Sequence, residues 1–149
     1  MLDLSKLMVE TKEVWVDYPD VEGFKVKVVA LSRKELTSLR KRCVTTSYVR
    51  KSKDMAETLD EEMFVQEFSN ATIKGWEGLT LEILESLILL DTTGQDLTMK
   101  WEYNQANANT LVTNSTEFDT WLNEVVFDLD NFRSKPKRAS DGKVGPTVP

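Results

Sequence analysis

Glu82 and Glu85 stand three residues apart, a spacing that sets two carboxylates side by side on a helix face. Such a pair divides acid and base duties only when burial or a neighbour separates the two pKa values, and nothing around them in the sequence marks a cleft. Glu61 and Glu62 are adjacent and do not share a helix face, so solvated surface is the simpler reading of all four. Asp128-Leu129-Asp130-Asn131 resembles part of an oxygen-ligand loop, yet it lacks the central glycine and later bidentate glutamate of an EF-hand. Asp91-Thr92-Thr93-Gly94-Gln95-Asp96 is incomplete in the same way, and both stretches read more simply as turns. The chain has no histidine, which removes the commonest metal ligand and the commonest general base. Cys43 is its single cysteine, without a nearby thiol or imidazole, and reads as a core thiol. These residues argue against an enzyme and call for neither cofactor nor metal.

Gly75-Trp76-Glu77-Gly78 is the remaining local signature. It is not a phosphate loop, because the longer glycine spacing and a following Lys-Ser/Thr are missing. The expectation is a structural corner: Gly75 ends one helix, Gly78 lets the chain enter the next, and Trp76 covers the bend while its indole N–H reaches a carbonyl or water.

The elements around these residues follow from pattern. Residues 13–18 and 24–29 are rich in β-branched and aromatic side chains, and Pro19-Asp20-Val21-Glu22-Gly23 turns the chain between them, so a β-hairpin is expected. Two strands are marginal alone and need a helix or a partner's strand on their apolar face. Ser32-Arg33-Lys34-Glu35 has capping-box spacing with a Leu31–Leu36 staple, and Leu36, Leu39 and Cys43 continue the stripe. Asp54-Met55-Ala56-Glu57 is expected to cap a second helix carrying Leu59, Met63, Phe64, Phe68 and Ala71. Residues 81–90 are apolar enough for a buried helix ending near Asp91, and Met99 to Tyr103 form an extended link into a helix from about Asn104. Asn114-Ser115-Thr116-Glu117 caps the strongest helix, with Phe118, Trp121, Leu122, Val125, Val126 and Leu129 on one face.

The expected fold is α+β and predominantly helical. Residues 1–12 form a leader, 13–30 a hairpin, 31–133 a compact helical domain and 134–149 a flexible basic tail. With 149 residues and 40% apolar content the chain can fill one main core. Arg133, Lys135, Lys137, Arg138 and Lys143 against Asp141 give residues 133–149 a net +4, leaving −10 on the first 132 of a chain whose total is −6. An acidic body repels phosphate, and a short basic run without aromatic companions is a weak nucleic-acid signal. No apolar stretch approaches the length that crosses a bilayer, so no membrane partner is expected.

Ile73-Lys74-Gly75-Trp76-Glu77-Gly78-Leu79, Thr93-Gly94-Gln95, residues 104–112, and the segment from Glu117-Phe118-Asp119-Thr120-Trp121-Leu122 to Asn131-Phe132-Arg133 together resemble the tail assembly chaperones of long-tailed bacteriophages. Trp15, the strand after Gly23 and Leu31-Ser32-Arg33-Lys34-Glu35-Leu36 extend the resemblance over residues 13–133. It implies a non-enzymatic role in the host cytoplasm: coating the helical tape measure protein, keeping it soluble, recruiting tail tube protein, and leaving before the virion is complete. It also implies self-association. Trp76, Leu87, Phe118, Trp121 and Val125 are the expected client contacts, with Met55, Met63 and Met99 as candidates for an adaptable apolar groove. Two other classes remain open: a structural tail or tail-completion protein retained in the virion, and a regulatory module that uses the basic tail.

Overall fold

A computed structural model of the chain describes residues 2–8, 12–49 and 54–133, without the side chains of 47–49 and 54–55. The expected hairpin is present. Strand β1 (Glu13–Asp17) pairs antiparallel with β2 (Lys25–Val29), with Glu13 opposite Val29 and Asp17 opposite Lys25. Alternation sets its faces: Val26 and Val28 are fully buried, while Lys27 lies outward, 3.5 Å from the Glu13 carboxylate and over the Trp15 ring. The turn closes through the Tyr18 N–H donating to the Phe24 carbonyl, with Asp20 and Gly23 at positive φ.

Helix α1 (Arg33–Arg42) starts at the expected capping box, where Ser32 and Glu35 exchange both bonds. It stops at Cys43 because the chain turns into β3 (Val44–Val49), which pairs antiparallel with β4 (Asp54–Leu59) as a separate two-stranded sheet. This second hairpin corrects the expected helix cap at 54–57. Asp60 is the cap instead, its carboxylate accepting from the Met63 N–H at the start of α2 (Glu61–Thr72). Helix α2 then runs directly into β5 (Ile73–Glu77), which lies antiparallel on the other side of β2, giving the order β1-β2-β5.

Gly75 therefore does not end a helix. It lies within β5 opposite Lys27, beside a register slip, and the expected corner moves to Gly78. That residue has φ +76°, and a Cβ there would collide with the Gly23 carbonyl oxygen. Glycine is needed both for the left-handed backbone and for the close approach of two chain segments.

Helix α3 (Leu81–Leu87) is capped by Thr80 and is shorter than the apolar run implied. Leu84 and Leu87 are buried, but Leu89 is fully exposed and Leu90 partly so. The link through Trp101 pairs back on this region, with Thr80 bridged to Lys100 and the Trp101 N–H donating to Leu79 O. Helices α4 (Gln105–Asn114) and α5 (Thr116–Val126) share Ser115, the C-cap of one and the N-cap of the other, and a 3-10 turn (Leu129–Phe132) follows.

One apolar cluster joins Phe24, Val26 and Val28 of the hairpin to Phe68, Ile73, Leu111, Phe118, Leu122 and Val126. Each fully buried large side chain contributes about 1.5–3 kcal/mol. The hairpin's missing cover thus comes from this chain's own helices. The result is a mixed α/β fold with a small antiparallel sheet. Of the leader, Leu4–Lys6 form an exposed 3-10 turn, while residues 134–149, expected as a basic tail, lie outside the described residues.

Candidate functional site

Four of the five expected client contacts are interior. Phe118 has no exposed area, and Val125, Trp76 and Leu87 retain only 7%, 8% and 9%. Phe118 stacks with Tyr18 at 5.8 Å and lies 5.4 Å from the Trp121 ring, while Trp76 packs 5.5 Å from Trp101 and donates its indole N–H to Trp101 O at 2.7 Å. Side chains held in this way are part of the core of the chain by itself, and of the five only Trp121 is half-buried. Of the methionines, Met63 and Met99 are exposed, and the Met55 side chain lies outside the described residues.

The carboxylates considered for acid–base work are at the surface. Glu61, Glu62, Glu82 and Glu85 are exposed, and Glu85 accepts from the Thr92 hydroxyl. Asp91 and Asp96 each accept a hydroxyl and an N–H two residues ahead, from Thr93 and Thr98, bonds that hold both carboxyls below their usual range. Asp128 accepts from the Asp130 N–H in the same manner. Among the described residues no three potential ligands gather as a metal site, and no helix is long and apolar enough to cross a membrane. Cys43 is buried, where desolvation and then the Glu67 charge push its thiol up and keep it protonated.

An open groove lies elsewhere, where α1 meets the end of α5. Leu31 donates its N–H to Val126 O at 3.2 Å, which fixes the start of α1 against the last turn of α5. Helix α5 stops there, and the chain turns through Phe127 and Asp128 before the 3-10 turn. That early stop takes Leu129 off the α5 core face and leaves it 64% exposed, while Phe127 lies 6.4 Å from the Phe68 ring and stays 42% exposed. With Leu31 and Leu36 they line a groove of about 690 Å³ whose wall carries Arg33 and Arg40.

The groove is apolar and cationic together. Helix α1 has five basic residues against Glu35, a net +4 on a chain of −6. Glu35 is engaged in the capping box, Asp130 pairs with Arg133 at 3.3 Å, and Arg42 pairs with Glu67 at 3.3 Å. Arg33 and Arg40 have no ion-pair partner among the described residues, although the Arg40 guanidinium lies over the Phe64 ring.

In the stretch after α3, Leu89, Leu90, Leu97 and Met99 are each exposed, and Asp91 and Asp96 lie between them in sequence. A cleft of about 210 Å³ is lined by Leu81, Leu84, Met99 and Trp101. The sequence pattern reached Leu129 as the last member of the α5 stripe, but carried no signal that the helix ends before it. No protein-family model, no curated protein and no solved structure matches the chain.

Proposed function

We propose that this protein is a non-enzymatic assembly chaperone that shields an apolar helical stripe on the tape measure protein of a long-tailed bacteriophage and yields it to tail tube subunits in the host cytoplasm. The observation that supports this reading is the groove between α1 and the end of α5, where Phe127 and Leu129 are exposed beside the half-buried Leu36, over a floor that includes the buried Leu31. An amphipathic helix can lay its apolar face in such a groove. The arginines on its wall favour a stripe edged by carboxylates, and the acidic remainder of the chain keeps the complex soluble.

Many such contacts along a long client give high occupancy while each stays easy to displace, so tube subunits can replace the chaperone without nucleotide hydrolysis. The test is co-expression with the tape measure protein, followed by solubility and mass measurement. The expected result is a soluble complex with several chaperone copies per client. A client that stays insoluble, or a monodisperse one-to-one complex, would count against the reading.

A second reading, a structural tail component, has one observation in its favour. β1 is an outer strand of its sheet, with the 3-10 turn Leu129–Phe132 packed near it, and an outer strand can take up a strand from a neighbour once its free edge is uncovered. Persistence at fixed stoichiometry in purified virions would favour that role.

A further inference from the structure

We infer that the groove between α1 and the end of α5 also binds single-stranded nucleic acid, with α1 holding the phosphates and Phe127 stacking a base. Summed over the chain the charge is −6, which disfavours a polyanion, but the positive part is concentrated on one helix. Arg33, Lys34, Arg40, Lys41 and Arg42 are all exposed, and of these only Arg42 has an ion-pair partner among the described residues. Glu35, the single acid of α1, is held in its capping box, and Asp130 next to Leu129 pairs with Arg133. Helical spacing puts Arg33, Thr37 and Arg40 on the groove wall and Lys34 and Lys41, seven residues apart, in the adjoining row. The helix rises about 15 Å over its ten residues, enough to follow a few phosphates of one strand.

The groove itself matches a base better than a second carboxylate. Phe127, 42% exposed among its lining residues, offers an aromatic face of the kind on which bases stack whatever their identity. The volume of about 690 Å³ has room for a nucleotide. The Arg40 guanidinium lies over the Phe64 ring at 5.0 Å, so one of the cations is held in place before the strand arrives. An acidic peptide would use the same cations and leave Phe127 without a role. Strand and client helix compete for one groove, but strand binding needs no client and does not rest on the chaperone reading.

The test is fluorescence anisotropy of a labelled oligouridylate of about twelve nucleotides, titrated with the purified full chain at several salt concentrations. The parent is expected to bind, with log affinity falling against log salt at a slope of about −3, as four phosphate contacts give. Lys34→Gln combined with Lys41→Gln, at exposed positions outside the groove lining, is expected to halve that slope. Phe127→Leu keeps an apolar side chain against Phe68 and is expected to lower affinity about tenfold with the slope unchanged, because it removes stacking and no charge. Urea unfolding checks that both variants stay folded. An oligodeoxythymidylate run in parallel separates the sugars: equal binding assigns the groove to single strands in general, a preference assigns it to the favoured sugar, and each supports the inference. No binding by the parent at low salt, a folded Phe127→Leu variant with unchanged affinity, or displacement of the strand by poly-glutamate at equal charge concentration would overturn it, the last in favour of an acidic protein partner. The assay contains no client, so its failure leaves the chaperone reading standing, and an insoluble client leaves the strand site standing.

Discussion

Tyr18 ties the hairpin to α5 through one short bond, its hydroxyl donating to Glu117 Oε2 at 2.7 Å. Burial, then that hydrogen bond and the Glu117 charge, push the phenol well above its ordinary value of 10.0. A raised pKa in the folded state means that the native protein keeps a proton the unfolded chain releases. Stability from this group is therefore complete below about pH 10 and falls as pH rises past it toward the folded value. Tyr18→Phe is expected to cost about 1.5 kcal/mol at neutral pH and to flatten the alkaline loss, as followed by urea unfolding between pH 7 and pH 11 or so. The remaining slope belongs in part to Tyr103, which burial also raises. The two glycines of the Trp76 signature are expected to behave oppositely. Gly78→Ala forces a Cβ onto the Gly23 carbonyl from a positive φ and costs about 2–4 kcal/mol. Gly75→Ala meets nothing nearer than Lys27 Cβ at 3.7 Å and stays within about 0.5 kcal/mol in the same measurement.

Caps decide where the helices begin. Asp60→Ala removes the acceptor for Met63 N–H, and Ser115→Ala removes that for Phe118 N–H; each is expected to cost about 1 kcal/mol in thermal or urea unfolding, with Ser115 the larger because it is buried. A loss at Ser115 alone, with Asp60→Ala neutral, would contradict the start assigned to α2. The β1–β2 hairpin and the capped starts of α1, α4 and α5 were legible in the sequence because their determinants lie within a few residues of one another. Strand β5 was not, since Ile73–Glu77 follows a helix without a turn and becomes a strand only by pairing with β2, far away along the chain. The β3–β4 hairpin was missed for a related reason: Asp54-Met55-Ala56-Glu57 carries helix-compatible residues, and its strand state depends on the partner Val44–Val49. The apolar run after Thr80 reads as one buried helix, yet α3 stops at Leu87 and leaves Leu89 outside. The candidate site shared this limit. Hydrophobic spacing marks a helix face, but Phe118 and Val125 face the core, while the groove arises where α1 and the end of α5 meet in space.

At the scale of the whole molecule, charge is divided: a basic helix borders the groove, and the rest of the first 132 residues is strongly acidic. Client binding through that groove is expected to weaken as salt shortens the reach of its arginines, which recovery of the complex from low to near-molar ionic strength would measure. Phe127 and Leu129 at this groove, and Leu89 after α3, are among the large apolar side chains that meet solvent. The proposed function depends on the groove as a surface for proteins. Its most direct measurement is the soluble yield of tape measure protein co-expressed with the parent chain and, in parallel, with the Arg33→Ser, Leu129→Ser variant, whose folding is checked by urea unfolding. The parent is expected to hold the client in solution as a complex recovered by size exclusion, and the folded variant to leave most of it insoluble. Equal solubility with both chains, or an aggregated client with the parent, would contradict it.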